Sequence, residues 1–70
     1  MATLLLRVHD LDPADAAGVE AVLLRLRGVY GAVVSVAEGC IEVDFEDDEA
    51  DIDEILAEVR EAGYDARLSG

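Results

Sequence analysis

The chain has 70 residues, 53% of them hydrophobic, with 17 acidic residues against 5 basic ones and a formal net charge of −12. That charge argues against nucleic acid and anionic membrane surfaces as partners, since their phosphates would repel it, and favours a basic protein, a bound cation or simple solubility. A lone Cys40 rules out an internal disulfide framework or an all-cysteine metal site within one chain.

This length specifies one small domain, near the lower limit of what a single core supports. No apolar run approaches the eighteen or so residues of a bilayer span. No signal-peptide pattern opens the chain, so a cytoplasmic location is expected. All five basic residues are arginine, and a lysine-free acidic surface suits a salty cytoplasm or a GC-rich genome.

Residues 3–9 (TLLLRVH) are short, apolar and followed by turn residues, which predicts a strand. Leu4, Leu6 and Val8 would share one face and Leu5, Arg7 and His9 the other. The first helix should start after Asp12, an N-cap residue, with Pro13 at N1 and Asp15 at N3 beside the positive end of the helix dipole. Ala16, Val19, Val22, Leu23 and Leu26 form its apolar stripe, and Gly28 is expected to end it as C′. Two strands follow at 30–37 and 40–45, carrying Val34 and Val36, then Ile41, Val43 and Phe45, around a short Glu38-Gly39 turn. Residues 46–49 (EDDE) predict a solvated charged loop. A second helix has Asp51 as N-cap and Glu54 at N3, a variant capping box. Ile52, Ile55, Leu56 and Val59 form its stripe, and Gly63 closes it. Residues 64–68 make a last strand.

The order β-α-β-β-α-β is the split βαβ plan. The fold class is therefore α+β, ferredoxin-like: a four-stranded antiparallel sheet with two helices on one face. If strand 3 lies beside strand 1, His9 and Cys40 share the open face, at the same end as Asp12 and Tyr64. On that face Arg7, Arg67, Glu42 and Asp44 are expected to neutralise one another. Exposed Leu5 and Val33, with Leu24 off its helix stripe, hint at contact with another chain.

Three stretches together resemble the heavy-metal-associated (HMA) domains of copper chaperones and metal-pumping ATPases. Residues 26–29 (LRGV) resemble the family's L-x-G-V, and residues 34–45 (VSVAEGCIEVDF) its second and third strands around a glycine turn. Residues 55–66 (ILAEVREAGYDA) follow its I-x-x-A-I-x-x-x-G-Y-x-A nearly position by position. The resemblance implies this fold over nearly the whole chain. It also implies Cu(I) or Zn(II) binding through G-M-x-C-x-x-C before the first helix, since thiolates select soft ions. Here the resemblance departs: Asp12 and Asp15 stand where the two cysteines would be, glycine and methionine are missing, and the loop is one residue shorter. Transfer of copper by thiolate exchange is chemically unavailable to such a member.

Asp12-x-x-Asp15 has two readings, a plain helix start or a site retuned for a harder cation. Two carboxylates fall short of the six to eight oxygens calcium uses, so His9 and Asp10 would have to help, suiting Zn(II), Ni(II) or Co(II). His9 and Cys40, with nearby carboxylates and Tyr64 beside them, form a second candidate zinc or nickel set. It would be completed by another chain.

Catalysis is not expected. The sequence offers no nucleophile–base–orienter set and no phosphate-cradling glycine loop. The expected function is an accessory protein-interaction module without the cysteine motif, whose partner is a protein, basic in character, or a second copy. The alternative is a metallochaperone-like protein holding a divalent ion through His9, Asp12, Asp15 and Cys40.

Overall fold

The structure is a computed structural model that describes residues 2–9 and 11–69. Its elements run β1 (Ala2–His9), α1 (Pro13–Leu24), β2 (Val29–Ser35), β3 (Cys40–Phe45), α2 (Ile52–Glu61) and β4 (Asp65–Leu68). The strands form one antiparallel sheet in the order β2-β3-β1-β4. This is the ferredoxin-like arrangement expected from the element order.

Period-two alternation sets the buried face. Leu4, Leu6 and Val8 of β1 are buried, with Ile41, Val43 and Phe45 of β3 beside them and Ala66 of β4 at the edge. The helices cover this face through Val19 and Leu23 of α1 and Ile55, Leu56 and Val59 of α2. Leu6, Leu23, Ile41 and Ile55 are wholly shielded from solvent. The odd-numbered residues of β1 turn to the open face.

Four local expectations are corrected. Helix α1 ends at Leu24, not at Gly28. The N–H groups of Arg25 and Leu26 donate three residues back, to Val22 and Leu23, which tightens the chain into turns. Gly28 belongs to the link into β2: it has φ 87°, and its carbonyl accepts from Glu46 N–H at 2.7 Å. The β2–β3 connection is a four-residue loop, 36–39, so Val36 lies in the loop and not in the strand. Gly39, at φ 65°, closes that loop by donating to the Val36 carbonyl. Asp51 is the N-cap of α2 but makes no side-chain capping bond. Its role there is reduced to charge at the dipole, shared with Asp53 and Glu54. Ile52 is exposed, and the small Ala50 just before the helix is buried in its stead, against Gly28.

The end of α2 is as expected, and more fully made. Gly63, at φ 100°, donates to Arg60, and Tyr64 N–H reaches back to the Val59 carbonyl. These are the two bonds of a Schellman cap. The cap uses Tyr64 as its last member, so β4 starts one residue later, at Asp65, and the Tyr64 ring is carried back toward the start of α1.

Candidate functional site at the helix-start tip

Asp12 takes the extended conformation of an N-cap residue, φ −89° and ψ 132°, and its Oδ1 accepts from Ala14 N–H at 3.0 Å. Pro13 at N1 has no N–H to satisfy, so the first free donor is the one Asp12 captures. Its backbone carbonyl accepts from Asp15 N–H at 2.9 Å. Replacing Asp12 with alanine is expected to cost roughly 1 kcal/mol of stability, measured by urea denaturation. An unchanged midpoint would show that the cap carries no weight.

One turn into the helix, Asp15 meets Tyr64. A hydrogen bond to the Asp15 carboxylate, then burial, then the negative charges of Asp15 and Asp12, push the phenol up from 10.0 to about 12. Ionising Tyr64 would place a third negative charge against two carboxylates. The folded state therefore holds this proton more tightly than the unfolded chain does. The stability this provides is complete below pH 10 and is lost as pH rises from there through about 12. In a Tyr30→Phe background, ultraviolet titration of Tyr64 should give a midpoint near 12, and Asp15→Asn should draw it back toward 10.0. A wild-type midpoint already near 10 would remove the contact from the account.

His9 and Cys40 lie elsewhere at the same end of the sheet. Cys40 pairs with Arg7 across β1–β3, and His9 pairs with Asp65 across β1–β4. Both side chains belong to the open face. Cys40 Sγ lies 3.9 Å from Glu38 Oε2. A shallow depression of about 200 Å³ is lined by Arg7, Val8, His9, Glu38 and Gly39. Glu38 is the residue that sequence reasoning passed over. Its signal was its place in the hairpin loop next to the end of β1.

His9 lines the depression, Cys40 lies beside Glu38, and Asp12 and Asp15 stand at the start of α1. Asp10 lies outside the described residues. Among the described residues, the donor atoms that lie within 4.8 Å of one another in a set of three are those of Glu46, Asp47 and Asp48. There the turn that gathers them has a plain cause, since Glu49 and Ala50 N–H both donate to the Glu46 carbonyl.

The open face also differs from expectation in its charge pairing. Arg7 stands directly opposite Arg67, Glu42 opposite Leu5, and Asp44 accepts from Thr3 Oγ1 at 2.9 Å. Arg67 approaches Asp65 of its own strand at 4.0 Å, an exposed contact of little weight.

The profile of the heavy-metal-associated domain matches residues 6–65. The chain belongs to the heavy-metal-associated domain family. Its fold superposes on a copper-binding domain of a P-type ATPase with a TM-score of 0.93 at 25% identity, covering 100% of this chain and 96% of that one. The N-terminal domain of a potential copper-translocating P-type ATPase from Bacillus subtilis, solved in its Cu(I)-loaded state, gives 0.90 at 25% identity over 97% and 86% of the two chains. Oxidised MerP from Ralstonia metallidurans gives 0.92 over 99% and 97%, and at 20% identity it speaks for the fold alone. No curated protein matches the sequence. Within the HMA family this chain carries one thiol, Cys40 on β3, and oxygen donors at the start of α1. Among the described residues no helix is long and apolar enough to cross a membrane.

Proposed function

We propose that this HMA domain is a cytoplasmic, non-enzymatic accessory module that presents its acidic tip to a basic protein partner. The observation that carries the reading is that both tip carboxylates are engaged within the chain. Asp12 caps α1 through Ala14 N–H, and the Asp15 carboxylate is the main influence that raises the Tyr64 phenol. By the family resemblance these residues stand where relatives have two cysteines. Oxygens there lack the softness that selects Cu(I), and two of them fall short of a hard-cation shell. What the tip retains is negative charge in a defined shape, which steers association with a cationic surface. The relatives point to metal-handling machinery as the setting, since the similar solved domains include those of copper-binding and potential copper-translocating P-type ATPases.

The competing reading is a divalent ion held by His9, Asp12, Asp15 and Cys40, and one pair of experiments separates the two. Calorimetric titration with Zn(II), Ni(II) and Cu(I) should show no micromolar binding that falls in Asp12→Ala or Cys40→Ser. A pull-down from the native host should recover a basic protein with the wild-type bait and lose it with Asp12→Asn/Asp15→Asn. Tight metal uptake sensitive to either variant would replace the interaction reading with the metal one. Recovery of the same proteins by both baits would remove the tip from the interaction.

A further inference from the structure

Residues 28–37 are the longest stretch of this highly charged chain without a charged side chain. They include the whole of β2, and β2 is an edge of the sheet. Edge strands present a row of unpaired N–H and C=O groups and are ordinarily blunted by shortness, charge or bulges. The opposite edge, β4, has that protection: it spans four residues and includes Asp65 and Arg67. Strand β2 spans seven residues with no charge, and its Tyr30 and Val33 are 59% and 63% exposed. Its one blunting device is the bulge between Val29 and Gly31, which leaves residues 31–35 in regular register with β3.

Charge at the two ends of β2 selects an orientation. Arg25 and Arg27, both exposed, precede the strand, and exposed Glu38 follows it in the hairpin loop. Antiparallel pairing of two copies about Val33 sets residue 35 of one copy opposite residue 31 of the other, within the regular part of the strand. The loop carrying Glu38 in each copy then falls at the same end as Arg27 of the partner subunit, twice by symmetry. Parallel pairing would set like charges together. A second copy, also at −12, meets repulsion over most of the surface; β2 itself adds no charged side chain to it.

We propose that a second copy of this chain docks antiparallel on the β2 edge, joining the two sheets into one continuous sheet by β-augmentation. The contact does not use the acidic tip, so its failure and that of the partner reading are distinguishable.

The test is sedimentation equilibrium of the full chain under reducing conditions, which removes any Cys40 disulfide. The wild type should rise with concentration from 7.5 kDa toward twice that mass. Val33→Lys places an edge charge in the pairing row and should hold the chain at the monomer mass. Arg27→Glu and Glu38→Arg should each weaken association roughly three- to tenfold, and the double exchange should restore it. These three sites are exposed, and circular dichroism of each variant verifies the fold. A wild type that stays monomeric at millimolar concentration would overturn the proposal. So would a double exchange no tighter than its single variants. Leu5→Glu lies on the open face of the central strand β1, away from the edge, and should leave association intact. Loss of the dimer in that variant would move the contact to the sheet face and overturn the edge assignment.

Discussion

Leu6→Ala should destabilise the domain by about 2–5 kcal/mol, while Leu5→Ala, one residue away, should change stability by no more than about 0.5 kcal/mol. Leu6 is fully shielded in the middle of β1, paired with Ile41 of β3 and Leu68 of β4. Leu5 points to the opposite face and is 40% exposed. Truncating Leu6 removes the transfer term of three heavy atoms and leaves a cavity under both helices, which the surrounding strands cannot fully close. Domains hold about 0.05–0.15 kcal/mol of stability per residue. For a chain of 70 residues that is about 4–10 kcal/mol in all, so the Leu6 substitution removes about a fifth of it or more. Urea denaturation of both variants measures the contrast. Equal losses at the two sites would mean that the sheet does not have one buried and one open face.

Two glycine-to-alanine substitutions should act with opposite signs. Gly28 has φ 87°, and a Cβ there would lie 2.8 Å from Glu49 Cβ and 3.0 Å from Ala50 N. The left-handed conformation alone costs about 1–2 kcal/mol for a residue with a Cβ. The close approach adds to this, because the Ala50 backbone is fixed by its bond to Glu46. Gly28→Ala is therefore expected to lose about 2–3 kcal/mol. Gly18 lies inside α1, and a Cβ there would meet nothing within 4 Å. Alanine at that site should raise stability by about 0.5–1 kcal/mol through reduced freedom of the unfolded chain. Thermal melts of the two variants read the sign directly. A neutral Gly28→Ala would show that the link between α1 and β2 is not held against residues 49–50.

The Gly28 case shows where reading along the chain stopped. A glycine after an apolar helical stripe is an ordinary C′ signal, and Gly63 obeyed it fully. Gly28 has the same local appearance, yet its conformation answers to Glu46, Glu49 and Ala50, some twenty residues away. The same limit applies to Asp51, whose spacing to Glu54 suggested a capping box that the side chain does not make. At Ile52 helical period predicted burial, and the buried position went to Ala50 instead. Period locates a face, but which residue at a helix end reaches the core depends on the neighbour it meets.

At the candidate site the division is similar. Asp12 as N-cap followed from residue type and from Pro13, both local. That Tyr64 lies at the same end as Asp12 followed from the expected strand order. Its coupling to the Asp15 carboxylate depends on the Schellman cap, which places Tyr64 at the end of α2. Likewise, alternation placed His9 and Cys40 on one face. Register alone decided that Arg7 faces Cys40 and that Asp65 faces His9.

By itself the sequence determined the element order and the buried stripes, while the departure from a cysteine site is what the family resemblance implies. Element order and stripes depend on side-chain type repeated at a short period, which is written in a single strand or helix. Tertiary structure alone decided the bulge and edge position of β2, the conformation of Gly28, the Tyr64–Asp15 contact and the charge pairs of the open face. Each of these depends on a partner distant along the chain, whose distance and direction exist only once the sheet has closed.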